Sequence, residues 1–286
     1  MSAGGPGTGA VVTGGGRGLG ARVATLLAER GHLVHVTDVD GDAARATADR
    51  IGRGTTSSAL DVRDAAACEA VARSTAERAG RLAVWVNNAG VLFTGPAWTN
   101  TPEQRQLMLD VNVGGVMNGT VAAIEQMRGH GGGHVVNIAS LAGLVAVPGE
   151  TVYAGTKHAV MGFSLSTQAD LRRAKVRDVR VSCICPDGIW TPMLHERLDD
   201  PEAALSFTGR LLSVDEVAAA VGRVLDRPRQ VTAVPRWRGT QVRVLDALPG
   251  IAVRALPLVV LQGRWTQRRL LRKGLPERLR TQESAR

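Results

Sequence analysis

The sequence predicts an α/β protein with a three-layer, doubly wound parallel sheet of about seven strands, followed by a basic C-terminal extension. Three observations lead to this prediction. Short apolar strands alternate with helical segments over most of the 286 residues, and a glycine-rich turn joins the first strand to the first helix. The only tyrosine, Tyr153, stands four residues before Lys157, one of only three lysines.

The first strand, residues 10–13, runs directly into a turn with glycines at positions 14–16, 18 and 20. Apolar residues then recur at helical spacing until Gly31 ends the helix. Glycines let the backbone approach a pyrophosphate, and the helix N terminus offers N–H groups and the positive end of the helix dipole. This order predicts a dinucleotide site, against the alternative of a flexible glycine-rich turn.

The second strand, residues 33–38, ends in Asp38, which lies 18 residues after Gly20. A carboxylate at this place can accept hydrogen bonds from an adenosine ribose and repels a 2′-phosphate. Asp38 therefore favours NAD over NADP, although Arg17 offers some attraction to a phosphate. The alternative role for Asp38 is that of a helix N-cap.

The rest of the chain continues the alternation of strands and helices. Strands are predicted at residues 58–62, 84–86, 135–140, 179–184 and 231–234. Helices are predicted at residues 43–51, 65–78 and 101–127, around Tyr153, and from the N-cap Ser213 with Glu216 at its third position.

Tyr153 and Lys157 project from the same face of a helix because four residues make just over one turn. A phenol has a pKa of about 10 and is a poor base at neutral pH. A neighbouring cation favours the phenolate and lowers that pKa. The pair therefore predicts a group that takes a proton from an alcohol or returns one to a carbonyl.

The motifs taken together resemble those of the short-chain dehydrogenases/reductases, which have a Rossmann fold. Thr13-Gly14, Gly18 and Gly20 match the TGxxxGxG turn of that family, and residues 87–90 match its NNAG motif. Asn112, Ser140 and the YxxxK pair occur at the family's spacing. The resemblance covers roughly residues 8–235. One motif departs from it, because Asp187 stands where the family has glycine after Pro186.

The resemblance implies a role for each matching residue. Tyr153 would be the general acid/base, Lys157 would lower its pKa and bind the nicotinamide ribose, Ser140 would hold the substrate oxygen, and Asn112 would position a water in a proton relay. The cofactor-binding residues it implies are Gly14, Arg17, Gly18, Leu19, Gly20, Asp38, Asp61, Val62, Asn88, Ala89, Gly90, Tyr153, Lys157, Pro186, Ile189 and Thr191. No metal is expected.

The domain division that follows is a catalytic domain at residues 1–235 and an extension at 236–286. The cofactor half of the catalytic domain is about 8–135, and the catalytic half is 136–235.

The implied function is NAD-dependent interconversion of a secondary alcohol and a ketone. The resemblance also implies that residues 193–210 form the segment that covers the substrate. This covering segment is apolar, which favours a bulky apolar substrate such as a steroid, terpenoid or lipid-like alcohol. An NADPH-dependent ketoreductase and a non-catalytic NAD-binding scaffold are the alternatives. The resemblance also implies a homodimer or homotetramer.

The net charge of +9 is concentrated in the tail. Residues 227–286 contain 14 Arg or Lys against three carboxylates, so they carry +11 and the remainder carries −2.

Charge and proline interrupt the apolar run 244–261, which excludes a spanning helix there. Leu271, Leu275 and Leu279 recur as one face of a helix would. Packing on the body or a partner subunit, contact with an anionic membrane and disorder all stay open; no module indicates nucleic-acid binding.

The three cysteines predict a reducing compartment, because their odd number provides no disulfide framework. Cys183 and Cys185 alternate in an apolar strand and are expected to be buried thiols on one face. Residues 1–10 lack the apolar stretch of a signal peptide. The predicted location is cytoplasmic, with peripheral membrane contact as the open alternative.

Overall fold

Seven parallel strands form one sheet in the computed structural model, which describes residues 7–276 and 279. The strands are β1 (Gly9–Thr13), β2 (Leu33–Asp38), β3 (Thr56–Ala59), β4 (Leu82–Asn87), β5 (Gly133–Ile138), β6 (Val179–Pro186) and β7 (Val231–Val234). Their order in the sheet is β3-β2-β1-β4-β5-β6-β7. The order reverses between β1 and β4, and ligands of such sheets bind at the carboxyl ends of the strands beside that point. The predicted doubly wound parallel sheet is confirmed.

Helices cover both faces of the sheet, and two further helices follow the last strand in the chain. They are α1 (Gly18–Glu29), α2 (Gly41–Ile51), α3 (Ala65–Ala79), α4 (Pro102–Leu109), α5 (Gly115–Met127), α6 (Thr151–Arg173), α7 (Pro192–His195), α8 (Val214–Asp226), α9 (Arg236–Asp246) and α10 (Pro249–Lys273). Ser213 caps α8 as predicted, because its hydroxyl accepts from the Glu216 N–H while the Glu216 side chain accepts from the Ser213 N–H.

Alternate residues of the strands supply the core on each face of the sheet. Ala10 and Val12 belong to the apolar cluster formed with α1 and α8, whereas Val11 belongs to the cluster formed with α3 and α5. Cys183 and Cys185 share one face of β6, where both are fully buried with their Sγ atoms 3.9 Å apart. The predicted burial of the two thiols on one face is therefore confirmed.

The third strand is shorter than predicted, because the chain leaves the sheet after Ala59 rather than after Val62. The Asp61 carboxylate accepts from the backbone N–H of Arg63 and the Asp64 N–H donates to the Asp61 carbonyl. These local bonds form a turn that competes with the strand ladder. Asp61 and Val62 therefore lie just beyond the carboxyl end of β3.

The predicted helix 101–127 contains one irregular turn at residues 110–114, with π-helical hydrogen bonds, between α4 and α5. Of the described residues, only this stretch, Pro102–Met127, is long and apolar enough to resemble a membrane span. It packs on α3 and the sheet, so it is a core helix of the domain.

Candidate active site

The glycine-rich turn lies at the carboxyl end of β1 and leads into α1. Gly14 and Gly18 have φ angles of 61° and 57°, which residues with a side chain rarely adopt. A Cβ at Gly20 would collide with the Gly14 carbonyl oxygen, so glycine there lets the helix pack on the turn. Within the described chain, no side chain caps the N terminus of α1. Its N–H groups are therefore available to an anion, as a pyrophosphate site requires.

The segment after β4 holds this turn in place. The Asn88 side chain donates to the carbonyls of Thr13 at 3.0 Å and Gly14 at 2.9 Å. The backbone N–H groups of Asn88 and Ala89 donate to the Thr13 hydroxyl at 3.1 and 3.2 Å. The two sequence motifs thus form one hydrogen-bonded unit at the carboxyl ends of β1 and β4.

Asp38 ends β2 with its carboxylate directed at the glycine-rich turn. Its Oδ2 accepts from the Gly16 N–H at 2.9 Å. The residue that caps α2 is Asp40, whose carboxylate accepts from the N–H groups of Asp42 and Ala43. The N-cap alternative for Asp38 is therefore wrong, and the carboxylate lies where the ribose of a dinucleotide bound at the turn would be expected.

Asp61 and Val62 line the same cavity as Asp38. Asp61 forms an ion pair with Arg63 at 2.5 Å, and this guanidinium lowers the pKa of Asp61. The Asp61 carboxylate is thus already engaged, and Arg63 lines the cavity as Arg17 does.

Ser140 and Tyr153 lie together just beyond β5 and in the first turn of α6. Their hydroxyl groups are hydrogen-bonded to each other, and Ser140 Oγ also accepts from the Ala142 N–H at 3.1 Å. Lys157 Nζ lies 5.5 Å from the centre of the Tyr153 ring and donates to the Ile138 carbonyl at 3.1 Å. The fold thus gathers the serine, tyrosine and lysine predicted for catalysis.

Asn112 is fully buried in the irregular turn between α4 and α5. Its side chain bonds both the N–H and the carbonyl of Val91, at 2.8 and 2.9 Å, and donates to the Thr156 hydroxyl at 3.1 Å. A Cβ on Gly90 would lie 3.2 Å from Asn112 Oδ1 and 3.8 Å from Lys157 Nζ. Glycine therefore leaves space between the amide and the ammonium.

Burial controls the acidity of this cluster. It raises the pKa of Tyr153 well above the usual value, the charge of Glu150 raises it further, and the Ser140 hydrogen bond lowers it. Burial also lowers the pKa of Lys157 to about 8. The lowering of the phenol pKa by Lys157 stays a prediction, because burial has the largest influence on that pKa here and the Lys157 ammonium donates to the Ile138 carbonyl.

One cavity of about 1170 Å³ joins these groups. This exceeds the roughly 300–1,000 Å³ of ordinary small-molecule sites. Its lining contains most of the predicted residues: Gly14, Arg17, Gly18, Leu19, Asp38, Asp61, Val62, Asn88, Ala89, Gly90, Ser140, Tyr153, Lys157, Pro186, Ile189 and Thr191. Of the predicted site residues, Gly20 and Asn112 are not part of that lining. The glycine-rich turn, the uncapped helix and Asp38 fit a nicotinamide dinucleotide.

Asp187, the departure from the family motif, is held by a residue of the extension. Its Oδ2 accepts from Arg238 Nε at 3.1 Å, and both side chains are largely buried, with 10% and 16% exposed. The same guanidinium donates to the Thr208 hydroxyl at 2.9 Å and to Gln241. Arg238 therefore ties the loop after β6 to the covering segment, a link that the motif by itself does not reveal.

The helices α9 and α10 form one wall of the cavity, which sequence reasoning missed. Val242 and Leu245 of α9 and Leu256 and Val259 of α10 line it. Their apolar spacing was visible in the sequence, but no sequence signal showed which surface they would cover. Of the interpretations open for the tail, packing on the body describes α9 and α10.

The predicted helical face of Leu271, Leu275 and Leu279 is wrong. The helix ends at Lys273, and Gly274 follows with a φ of 70°. Leu271 is exposed, whereas Leu275 and Leu279 pack with the covering segment after the chain has turned. Residues 277, 278 and 280–286, which belong to the same prediction, lie outside the described residues.

Glu150 is a second residue that sequence reasoning missed. It precedes α6, lines the cavity and is only 2% exposed. Its carboxylate accepts from the Ser206 hydroxyl at 2.5 Å. Burial raises the pKa of Glu150 to about 7. A lone glutamate in a short loop gives no sequence signal, because only the tertiary fold buries it beside Tyr153.

Comparison with known proteins identifies a matching family model and several relatives of this chain. The family model described as short chain dehydrogenase matches residues 8–202. The D-threitol dehydrogenase of Mycolicibacterium smegmatis is 34% identical over 218 residues, covering 74% of this chain and 83% of the relative. The 2-(R)-hydroxypropyl-CoM dehydrogenase of Xanthobacter autotrophicus is 35% identical over 200 residues, covering 68% of this chain and 79% of the relative.

A solved structure shows the same fold. A short chain dehydrogenase/reductase from Burkholderia phymatum, in complex with NAD, superposes with a TM-score of 0.76 at 28% identity. The match covers 83% of this chain and 92% of that protein. Residues 8–202, which the family model matches, include the glycine-rich turn and the Ser140-Tyr153-Lys157 cluster.

Proposed function

This chain belongs to the short-chain dehydrogenase family and is an NAD(P)-dependent oxidoreductase, and we propose that it uses NAD to interconvert a secondary alcohol and a ketone on a bulky apolar substrate. The observation that supports this most directly is that one cavity joins the glycine-rich turn, the Ser140-Tyr153-Lys157 cluster and the apolar wall formed by α9 and α10. The substrate class suggested is a steroid, terpenoid or lipid-like alcohol.

The proposed chemistry assigns one task to each polar side chain. Bound NAD would accept a hydride from the carbinol carbon. Ser140 donates a hydrogen bond to the substrate oxygen, and Tyr153 takes the hydroxyl proton in the oxidising direction or returns it in the reducing direction. Lys157 supplies positive charge beside the phenol and binds the nicotinamide ribose. Asn112, next to Lys157, would hold a water that passes the proton onward.

The apolar part of the proposal is supported by the apolar side chains that line the same cavity. Val145 and Val147 follow Ser140, Leu205 comes from the covering segment, and Val242 and Leu256 come from α9 and α10. Burying apolar substrate surface against them is worth about 25 cal/mol per Å². A substrate with an extended hydrocarbon frame would therefore bind more tightly than a small polyol.

The assembly and location are part of the same proposal. Leu109, Met117 and Val121 expose 38–51% of their surfaces along α4 and α5. These apolar side chains suit a subunit interface, which supports a homodimer or homotetramer. We place the enzyme in the cytoplasm. Residues 1–235 would be the catalytic domain and 236–286 an extension that completes the substrate site.

The test of the proposed function is turnover by the purified protein. NAD or NADP is offered with a panel of secondary alcohols that includes steroids, terpenoids and small polyols, and reduced cofactor is measured by absorbance. Oxidation of apolar alcohols with NAD is expected. Preference for NADP and a ketone would favour the ketoreductase alternative, to which Arg17 and Arg63 could contribute. Cofactor binding with no turnover of any alcohol or ketone would favour the non-catalytic alternative.

Replacing Asp38 by alanine is expected to lower the preference for NAD over NADP by roughly 10- to 100-fold, because a charged hydrogen-bond acceptor is lost and the repulsion of a 2′-phosphate disappears. The measurement is kcat/KM with each cofactor. Asp40→Ala is the matched control, since it removes the α2 cap but leaves the cavity carboxylate in place. An unchanged cofactor ratio in Asp38→Ala would reject this role.

Replacing Glu150 by glutamine is expected to move the pH profile of alcohol oxidation toward lower pH. The Glu150 charge raises the pKa of Tyr153, so its removal makes the phenol easier to deprotonate. Relative to wild type, the variant should also gain stability as pH rises from about 4.5 to 7, and it should keep that gain above pH 7. In this range the unfolded wild type ionises the Glu150 carboxyl while the folded protein keeps it protonated, because burial raises its pKa to about 7.

Two measurements check this prediction, the pH dependence of kcat/KM and thermal unfolding at pH 5 and pH 8. Ser206→Ala serves as the comparison, because it removes the hydrogen bond that lowers the pKa of Glu150 and keeps the carboxyl. An unmoved pH profile in Glu150→Gln would show that this carboxylate does not influence the phenol.

A further inference from the structure

The orientation of α10 is fixed by the face that it turns toward the body. Gly263, Gln267 and Leu270 are buried on that face. A Cβ at Gly263 would collide with the Ala204 carbonyl, and the Gln267 side chain donates to the Asp200 carbonyl at 2.7 Å. These contacts hold the helix against the covering segment and determine which residues face away from the body.

The opposite side of α10 carries large apolar residues. Leu258, Leu261 and Trp265 recur at i, i+3 and i+7, so they lie on one helix face, here named the outer face. They are 73%, 64% and 61% exposed. Scattered exposed leucines are normal on a protein surface, but three large apolar side chains in two turns of one helix form a patch that suits an apolar partner.

The charge of α10 is entirely positive. The helix contains no aspartate or glutamate, and its six basic residues are Arg254, Arg264, Arg268, Arg269, Arg272 and Lys273. All six are exposed. The Arg269 guanidinium lies 5.5 Å from the centre of the Trp265 ring, so cation and aromatic ring stand side by side at the patch.

The combination selects one partner. A second copy of this chain docked through the same face would bring two sets of six cations together with no carboxylate on either helix, which is repulsive. A nucleic acid would satisfy the arginines but leave the leucines without apolar contacts. A membrane surface with anionic lipids satisfies both, because apolar side chains enter the headgroup boundary and arginines bind the phosphates.

We propose that the outer face of α10 docks peripherally on a membrane surface that contains anionic lipids. The inner side of the same helix lines the substrate cavity with Ala252, Leu256 and Val259. Docking therefore brings the apolar cavity wall close to the lipid phase, from which an apolar substrate can be exchanged. The exchange rests on the proposed function, whereas the docking does not.

The test is sedimentation of the purified full-length protein with vesicles of phosphatidylcholine alone or mixed with phosphatidylglycerol. Binding is expected only with the anionic mixture and should weaken as salt is raised. The triple variant L258S/L261S/W265S should bind roughly tenfold or more weakly. The matched control is Trp98→Ser, because Trp98 is 86% exposed and lies outside α10.

Three results would overturn the docking proposal. They are equal binding to neutral and anionic vesicles, undiminished binding by the triple variant, and a wild-type oligomer that the triple variant disrupts in the absence of vesicles. Thermal unfolding checks that the triple variant is folded. Turnover of a small water-soluble alcohol without vesicles is measured in parallel. Loss of vesicle binding with turnover intact separates this proposal from the proposed function.

Discussion

Replacement of Tyr153 by phenylalanine is expected to lower kcat by roughly 100- to 10,000-fold, the usual contribution of a positioned acid or base. The phenylalanine ring keeps the packing in the first turn of α6, but the proton acceptor hydrogen-bonded to Ser140 is gone. NAD binding should change little, because the glycine-rich turn and Asp38 are untouched. The measurements are kcat with the best alcohol found and NAD affinity from fluorescence titration.

Ser140→Ala provides the comparison within the same cluster. It should also lose turnover, because it removes both the donor to the substrate oxygen and the hydrogen bond that lowers the pKa of Tyr153. Turnover close to wild type in Tyr153→Phe would reject the proposed chemistry. Weak NAD binding in that variant would instead show that the phenol is needed to build the cofactor site.

Replacement of Arg238 by methionine is expected to lower the free energy of unfolding by about 3–5 kcal/mol, the usual cost of leaving one partner of a buried ion pair alone. The Asp187 carboxyl would lose its guanidinium partner, although burial already raises its pKa. The loss should be smaller at pH 5 than at pH 8. An unpaired buried carboxyl takes up a proton in acid, so the penalty grows as pH rises.

Denaturant unfolding of three further variants shows whether the loss of stability in Arg238→Met comes from the unpaired Asp187 carboxylate. Arg236→Met removes an exposed arginine two residues away and should change little. Asp187→Gly restores the family's residue but leaves Arg238 unpaired. The double variant Asp187→Gly with Arg238→Met should be more stable than Arg238→Met alone, because no unpaired charge is left. Equal losses in the double and single variants would show that Arg238 stabilises the loop by packing only.

The sequence by itself determined the parallel sheet and the elements that build the candidate site. Alternating strands and helices have distinct periods of apolar residues, so their order could be predicted from the chain. The glycine-rich turn is also a local property, because Gly14 and Gly18 need backbone angles that other residues avoid. The helical spacing of Tyr153 and Lys157 likewise follows from four residues of sequence.

Only the tertiary structure decided which surfaces meet. The pairing of Asp187 with Arg238 joins residues 51 positions apart, and the hydrogen bond between Ser206 and the buried Glu150 joins residues 56 positions apart. The acidity of Tyr153 was decided at the same level, because burial of the phenol raises its pKa and no local pattern in the sequence indicates that burial. The C-terminal extension shows most clearly what a local sequence pattern does not predict. Its leucines follow a helical period through Gly274, where the chain turns so that Leu275 and Leu279 pack on the body. The spacing of apolar residues is a local property of the sequence. The surface on which each apolar side chain packs is determined by contacts between segments that are distant in the sequence.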